Sequence, residues 1–315
     1  MHRSPEPVQT PDGPAFEGRL LPRPDDEVVD QGAGFDIATL LSRRRVLALL
    51  GGGAGALALS ACSSDSTPGA ASSTENAAAV GEIPEETNGP YPADGSNGVN
   101  ILEQSGIERS DITTNLDGGD PVDGVPLTMT FEVSDLAKDG AAYTGAVLYA
   151  WQCDAQGRYS MYSQGVENET FLRGVQTVGP LGRVTFQTIV PGCYPGRWTH
   201  LHFEVYPDKA AATNVDNAIA TSQLAFPQDM LDTVYRSGKY PDSARNLAQI
   251  GGLDKDMVFS DGYALQLGTF TGDVARGYRG SLNVGVDATT VPAMSGRGGG
   301  QGGGPGGDGR PGGPP

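Results

Sequence analysis

The amino-acid sequence predicts a mainly β protein, an antiparallel β-sandwich with few short helices, flanked by disordered ends. Two observations lead to this prediction. Within residues 86–290, apolar and polar residues alternate in short runs that Gly, Pro, Asn and Asp separate, and no long segment repeats with helical spacing. Short strands with one apolar face bury that face by packing as two sheets around a shared core.

The elements of this domain can be placed in chain order. Strands are predicted at residues 127–133, 146–152, 183–190, 200–206, 264–270 and 281–286. Two short helices are predicted at residues 228–237 and 243–250. Because the pattern shows no internal repeat, we treat residues 86–290 as one domain.

Residues 1–61 are predicted to be an export leader. Three arginines at 43–45 precede an apolar, Gly- and Ala-rich run, and this layout is similar to a twin-arginine (Tat) signal. The following residues Leu-Ser-Ala-Cys, which end at Cys62, resemble a lipobox, in which the cysteine receives a lipid. The alternative is a membrane-spanning or buried helix, but the run is shorter than the ~20 residues that a span needs. We therefore expect export by the Tat pathway, with the protein lipid-anchored through Cys62 to the outer face of the cell membrane, or secreted.

Two further segments flank the domain. Residues 62–85 are small and polar, which is typical of a flexible tether. Residues 291–315 are rich in Gly and Pro and lack a run of apolar residues, so we expect a disordered tail. The long acidic region ahead of the arginines leaves the true translation start open.

Net charge excludes one class of partner. The chain carries 21 Lys and Arg against 38 Asp and Glu, a formal net charge of −17. Phosphate binding requires clustered Lys and Arg, so we expect no nucleic-acid partner. A small molecule is the favoured ligand.

A His-x-His pair marks the candidate site. His200 and His202 are the only histidines of the predicted domain, and on a strand they lie on one face while Leu201 lies on the other. Two imidazoles on one strand are a common metal-binding arrangement, but two surface or hydrogen-bonded histidines give the same pattern. Turn residues surround Tyr194, six residues before His200, and precede Tyr159.

These residues lie in blocks that resemble one family. The blocks are NGPYP (88–92), RSDI (109–112), GVPLTMTFEV (124–133), WQCDAQGRYS (151–160), residues 171–205 and TSQLAF (221–226). Their order and spacing are similar to those of the intradiol ring-cleavage dioxygenases, the group of catechol 1,2-dioxygenase and protocatechuate 3,4-dioxygenase. The resemblance implies that family's β-sandwich and one Fe(III) per chain, held by Tyr159, Tyr194, His200 and His202.

The resemblance also implies an activity. Enzymes of this family use O2 to open a catechol-type aromatic diol between its two hydroxyl-bearing carbons, which gives a muconate-type product in aromatic compound catabolism. Arg197 matches the family's arginine near the iron, where its charge stabilises negative charge on the ring. The alternative is a structural arginine that bridges a loop to a carboxylate. Gln223 matches the glutamine that accompanies the site, although it lies farther from His202 than in the catechol 1,2-dioxygenases, and Tyr91 is a candidate pocket residue.

Cys153 and Cys193 lie close in sequence to the two tyrosines. If both tyrosines reach one iron, the cysteines are neighbours, and we expect a disulfide outside the cytoplasm. Two buried free thiols are the alternative.

Two other functions remain open from the residues. The first is a catalytically inactive lipoprotein of the same fold that binds metal or aromatic molecules. The second is a Zn or Cu enzyme that uses the His-x-His pair, although two tyrosines are unusual zinc ligands. Neither the catechol derivative nor the oligomeric state can be predicted from the sequence.

Overall fold

The structure, a computed structural model, describes residues 81–289 and the backbone of three short strands near the N-terminus. These strands, β1 (Val8–Thr10), β2 (Gly13–Phe16) and β3 (Arg19–Leu20), form an antiparallel sheet in that order, which the sequence did not predict. The Tat-like signal, Cys62, most of the tether and the tail lie outside the described residues. None of the helices in the described part has the length and apolarity that crossing a membrane requires.

Two sheets form the domain. The strands are β4 (Pro126–Asp135), β5 (Ala141–Ala142), β6 (Val147–Trp151), β7 (Arg173–Thr177), β8 (Arg183–Ile189), β9 (His200–Tyr206), β10 (Ala220–Ala225), β11 (Thr269–Asp273) and β12 (Gly277–Val286). The four-stranded sheet has the order β10-β9-β6-β7. The five-stranded sheet has the order β11-β12-β4-β5, and β8 also pairs with β4. The α-helices are α1 (Gln228–Val234) and α2 (Ser243–Ile250). Short 3-10 helices lie at Leu136–Lys138, Ala211–Thr213, Val215–Asn217, Tyr235–Ser237, Leu253–Lys255 and Phe259–Asp261.

The predicted fold class is confirmed: the domain is mainly β, with two sheets and few short helices. One pair departs from the antiparallel expectation, because β12 runs parallel to β4. The strand predicted at 264–270 is wrong over most of its length. The amides of Gln266 and Leu267 both donate to the Tyr263 carbonyl and form a turn there, and β11 begins only at Thr269. The sequence pattern missed the two-residue β5, and also β7 and β10, which mix apolar with polar or glycine residues.

The two sheets bury different numbers of faces. Along β4, exposed or half-buried residues alternate with buried ones, so the five-stranded sheet has one core face and one solvated face. Aromatic side chains join the sheets in the core, where the Phe131 ring centroid lies 5.2 Å from that of Phe203 and 6.3 Å from that of Phe186. In β6 and β9, by contrast, every residue is buried. The four-stranded sheet is therefore covered on both faces.

A second core covers the outer face of the four-stranded sheet. Its buried members are Ala93, Val99, Ile101, Leu102, Ile107, Val147, Tyr149, Trp151, Cys153, Tyr159, Met161, Tyr162, Val175, Tyr206 and Ala212. Most of them come from the loops around residues 91–107 and 153–166 and from the outer face of β6. The polar side chains of β9 consequently lie beneath loops and not in solvent.

Residues 82–84 contact both sheets of the domain. Glu82 forms a β-bridge with Gly285, and Ile83 is buried in the core between the sheets. The Ser222 hydroxyl donates to the Pro84 carbonyl at 2.7 Å. Residues 82–84, within the predicted tether, therefore pack against the domain.

Candidate metal centre

Four donor atoms converge at the start of β9. His200 Nε2 lies 3.1 Å from His202 Nε2, 3.1 Å from Tyr194 Oη and 3.4 Å from Tyr159 Oη. The two imidazoles share one face of the strand, as the His-x-His spacing requires. Three of the four side chains are buried, whereas Tyr194 is half-buried. The structure thus brings together the four side chains that the sequence analysis proposed as ligands.

Two packed turns place the tyrosines. The amide of Gly192 donates to the Asp154 carbonyl at 3.0 Å, and a Cβ on Gly192 would lie 2.8 Å from that same oxygen. Gly157 has a φ of +82°, and a Cβ there would lie 3.0 Å from Cβ of Tyr194. Only glycine allows both approaches. The turn before Tyr159 therefore lies directly against the turn that carries Tyr194.

The two histidines are oriented in different ways. His200 Nδ1 lies 2.5 Å from the Trp198 carbonyl oxygen, which fixes the proton on Nδ1 and leaves the Nε2 lone pair facing the other donors. His202 Nδ1 forms no hydrogen bond with a described residue. Its ring instead stacks on Trp151, with centroids 4.9 Å apart and planes 8° apart. Gly89, whose φ is +72°, lies so close that a Cβ there would be 3.2 Å from His202 Cε1.

The electrostatics keep both imidazoles neutral. Burial, and then the positive charge of Arg197, lower the pKa of His200 to about 3. Burial, His200 and Arg197 lower the pKa of His202 well below its usual range. A histidine must be neutral to ligate a metal, so both groups have the required protonation state. Burial raises the pKa of Tyr159, which keeps its phenol protonated until a cation lies beside it.

The donor set fits a metal ion. Ligands about 2.0–2.1 Å from one ion lie about 2.9–3.4 Å from each other, which matches the separations around His200 Nε2. Residues 81–289 contain no group of three or more His, Cys, Asp and Glu side chains placed to hold a metal ion. A metal at this position would therefore take phenolate oxygens as ligands, and these hard, anionic donors favour Fe(III) over Fe(II) or Zn(II).

Arg197 lies beside these donors in an ion pair that the sequence did not predict. Its Nε donates to Asp256 Oδ2 at 3.0 Å, and its Nη2 donates to Asp256 Oδ1 at 3.3 Å and to Gln223 Oε1 at 2.7 Å. The arginine thus does bridge its loop to a carboxylate, as the structural alternative proposed. Its Nη1 forms no hydrogen bond with a described residue, which leaves two N–H groups for a bound molecule.

Gln223 supports the site through its neighbours. It lies opposite His202 in the pairing of β10 with β9. Its Oε1 accepts from Arg197, and its Nε2 donates to the Thr87 carbonyl at 2.9 Å. Because both ends of the amide are engaged, Gln223 holds Arg197 and the segment that begins at Thr87.

That segment, residues 87–93, forms a strap over the donors. The Tyr91 ring stacks on Tyr159, with centroids 4.8 Å apart, and meets Tyr162 edge-on at 5.4 Å. Tyr91 therefore does lie next to the site, as the NGPYP block suggested. Sequence reasoning missed Trp151, Arg173 and Asp256. Trp151 and Arg173 lie within the recognised blocks, whereas no motif marks Asp256.

The predicted disulfide is wrong, because Cys153 and Cys193 are both free and buried. Cys153 Sγ donates to the Gly192 carbonyl, and Cys193 Sγ donates to the Arg197 carbonyl, each at 3.4 Å. Burial raises the pKa of Cys193 to about 12. The two cysteines are neighbours, but their thiols serve as hydrogen-bond donors inside the core.

Known proteins share sequence and fold with parts of this chain. A family model described as Dioxygenase (Dioxygenase_C) matches residues 100–205. Catechol 1,2-dioxygenase 1 of Acinetobacter lwoffii is 29% identical over 124 residues, which cover 33% of this chain and 37% of that protein. The 6-chlorohydroxyquinol 1,2-dioxygenase of Cupriavidus pinatubonensis is 44% identical over 57 residues, which cover 18% of this chain and 20% of that protein. The chain thus spans less than two-fifths of the length of either curated relative.

A solved structure shares the fold. The intradiol ring-cleavage dioxygenase from Tetranychus urticae superposes with a TM-score of 0.51 at 23% sequence identity, covering 67% of this chain and 96% of that chain. At this identity the likeness establishes the fold, and the matched segment 100–205 contains all four converging donors. Residues 100–205 therefore match the dioxygenase family model, and the domain has the fold of the intradiol ring-cleavage dioxygenases.

Proposed function

We propose that the protein is an Fe(III)-dependent dioxygenase that cleaves catechol-type aromatic diols with O2, between the hydroxyl-bearing carbons, to muconate-type products. The observation that carries this proposal is the convergence of two phenols and the His202 imidazole within 3.1–3.4 Å of His200 Nε2, where both imidazoles are neutral. Tyr159, Tyr194, His200 and His202 would hold one iron. Fe(III) held there would act as a Lewis acid that favours loss of the hydroxyl protons of a diol, and the resulting electron-rich diolate would be the species that reacts with O2.

The protein's own residues divide the remaining tasks. Tyr194 is the half-buried phenol of the pair, and its Oη lies 3.1 Å from His200 Nε2. We assign to Tyr194, as its phenolate, the acceptance of a proton from a substrate hydroxyl, because Tyr194 is the more exposed of the two tyrosines. Arg197 keeps its charge at any working pH, and its free Nη1 can stabilise negative charge on the bound ring. The Tyr91 ring closes one side of the site.

A measurement on the purified full-length protein tests this function. We expect a red-brown protein with close to one iron per chain, because tyrosinate-to-Fe(III) charge transfer absorbs visible light. With catechol it should consume O2 and form a product that absorbs in the ultraviolet, not the yellow semialdehyde of extradiol cleavage. Stoichiometric zinc without iron would contradict the metal assignment. Iron-replete protein that consumes no O2 with catechol, hydroxyquinol or protocatechuate would favour the inactive binding protein of the same fold.

We also propose that the domain acts outside the cytoplasm, tethered through a lipid on Cys62. The arginine-led apolar run and the lipobox-like sequence support this proposal. Replacing Cys62 with alanine in the producing bacterium should move the protein from the membrane fraction to the soluble fraction. The same membrane association in wild type and Cys62→Ala would contradict the lipid anchor.

A further inference from the structure

Arg173 is a buried cation outside the metal site whose bonds the proposed reaction does not use. It opens β7, lies opposite Trp151 in the sheet and is 0% exposed. Among the described residues, no carboxylate forms an ion pair with it. A charge taken out of water requires compensation, so its neighbours must supply full hydrogen bonding.

All five N–H groups of this guanidinium are engaged. They donate to the Tyr91 and Pro92 carbonyls at 2.9 and 3.0 Å, to the Ser160 carbonyl and hydroxyl at 3.0 and 3.1 Å, and to the Tyr149 hydroxyl at 3.1 Å. Its Cζ also lies 5.4 Å from the centroid of the Tyr162 ring. The arginine thus uses its complete set of donors, mostly on backbone carbonyls.

These bonds join two segments that both carry parts of the metal site. Tyr91 and Pro92 belong to the strap of residues 87–93, in which Tyr91 stacks on Tyr159 and Gly89 packs against His202. Ser160 directly follows Tyr159. One side chain therefore holds the strap above the donors and the turn that presents a ligand phenol.

Backbone strain is concentrated at the same place. The described part of the chain contains four non-glycine residues with positive φ. Three of them are sequence neighbours either of a residue that Arg173 contacts or of Arg173 itself. They are Ala93 (φ 53°), Met161 (φ 71°) and Leu172 (φ 57°). Left-handed backbone at such residues persists only where surrounding contacts over-determine it, and such residues cluster at functional sites.

We propose that Arg173 is a positioning residue that fixes Tyr159 and the strap relative to each other, so that the metal-binding geometry exists before a metal arrives. The part of this inference that concerns iron rests on the proposed function, whereas the positioning itself does not. Lysine cannot replace the arginine, because an ammonium offers three donors from one point and cannot reach acceptors spread around a planar fork. The carbonyls left behind would be buried without partners.

Hydrogen exchange on metal-free, full-length protein tests the positioning. The Ala93 amide donates to Tyr162 Oη, and the Met161 amide donates to the Val166 carbonyl, so both are protected reporters, one in the strap and one in the turn. In Arg173→Lys we expect exchange at both amides to rise about ten- to hundredfold. Arg109→Lys is the matched control, since Arg109 donates to the carbonyls of Thr114, Thr170 and Arg173 but to none in the strap or the turn. It should leave both reporters unchanged.

A milder variant keeps the test decisive if Arg173→Lys does not fold. Tyr149→Phe removes a hydroxyl that accepts from Arg173 and donates to the Pro92 carbonyl, but it leaves the bonds to Ser160 intact. Exchange should therefore rise at Ala93 and not at Met161. Unchanged exchange at Ala93 in Tyr149→Phe would overturn the proposal. So would equal rises at both reporters in Arg173→Lys and Arg109→Lys.

Iron binding then separates this inference from the proposed function. Arg173→Lys should bind Fe(III) about tenfold or more weakly, with a shifted charge-transfer band, while Arg109→Lys matches wild type. Wild-type protein that binds no Fe(III) would contradict the proposed function, and the exchange results would still decide the positioning role. If Arg173→Lys raises exchange at the Ala93 and Met161 amides but binds Fe(III) as tightly as wild type, the claim that this positioning serves metal binding is overturned.

Discussion

The two sheets of this domain share one core but use their outer faces differently. On the five-stranded sheet, the outer face of β4 is half-buried or exposed, with Thr128, Thr130 and Glu132. On the four-stranded sheet, the outer face of β9 is fully buried and contains His200 and His202. The same strand periodicity thus produces a solvated surface on one sheet and a candidate metal site on the other.

The difference comes from what covers each face. Loops with their own apolar residues form a second core over the four-stranded sheet, and they bury polar groups that must then find partners. The Arg173 bonds meet this requirement. On the five-stranded sheet, water satisfies polar side chains. Polar substitutions should therefore be costly on one outer face and nearly neutral on the other.

The largest expected effect on stability is that of Asp256→Asn, at the edge of the site. Breaking a buried ion pair leaves an unpaired charge, so we expect a loss of about 3–5 kcal/mol in the free energy of unfolding at pH 7. Burial alone would raise the pKa of Asp256, but the charge and hydrogen bonds of Arg197 hold it below its usual value of 3.8. Denaturant melts at several pH values measure the difference between wild type and variant.

The sign of the pH dependence follows from the lowered pKa. A carboxylate with a depressed folded pKa contributes stability above its unfolded pKa and loses it as the pH falls through the folded value. The gap between wild type and Asp256→Asn should accordingly be full at pH 7 and shrink below about pH 3.8. A gap that stays constant across this range would show that Asp256 does not act through its charge.

The next largest effect compares Arg197, in the loop before β9, with an arginine on the five-stranded sheet. Arg197→Ala should slow turnover roughly 10²-fold or more while iron and colour remain, because it removes charge stabilisation without removing a ligand. Arg183 on β8 forms an exposed ion pair with Glu132, so Arg183→Ala should leave turnover unchanged and cost at most about 1 kcal/mol of stability. Steady-state oxygen uptake with catechol measures both variants. Equal losses would contradict the assignment of Arg197 to the reaction.

Sequence reasoning predicted the residues that local rules position. The His-x-His spacing on a strand placed two donors on one face, and turn residues around Tyr159 and Tyr194 predicted where the phenols leave the backbone. The helix predicted at residues 243–250 is confirmed as α2. Its residues contain no run of β-branched side chains, which would favour a strand instead. These features depend on neighbours within a few positions.

Long-range contacts could not be predicted in the same way. Asp256 meets Arg197 across 59 residues, and Arg173 reaches Tyr91 across 82, with no periodicity to indicate either pairing. The disulfide failed for a related reason. Proximity of two segments does not fix the direction of their thiols, and here Cys153 and Cys193 point at separate carbonyls.

A smaller effect is expected from Trp151, which orients His202 without a hydrogen bond. Trp151→Phe replaces the two-ring indole that stacks on the imidazole with a smaller ring. We expect iron affinity to fall about ten- to hundredfold, which is the usual effect of changing a group that supports a metal ligand. Trp198→Phe is a useful control, because Trp198 is also buried and its indole N–H donates to the Phe226 carbonyl, whereas the ring that stacks on His202 is that of Trp151. Competition with a chelator measures both affinities. An equal loss in the two variants would mean that stacking on His202 has no special role.

The smallest expected effects come from removing one hydroxyl group from each outer face with little change in side-chain size. The Tyr206 hydroxyl on β9 donates to Glu204 Oε2 at 2.7 Å, and both side chains are fully buried. Burial, and then the charge of Asp94, raise the pKa of Glu204 well above its usual range, which favours a neutral carboxyl and an uncharged hydrogen bond. Tyr206→Phe should therefore cost about 1 kcal/mol.

On β4, Thr130 Oγ1 lies 2.9 Å from Thr185 Oγ1 on a face that water reaches. Thr130→Val keeps the β-branched shape, and water can replace the lost partner of Thr185, so the change should stay within about 0.5 kcal/mol. Urea denaturation of both variants beside wild type measures the difference. Thr130→Val could instead lower the free energy of unfolding as much as Tyr206→Phe does, or more. Burial beneath the second core would then not determine how much a polar group contributes to stability.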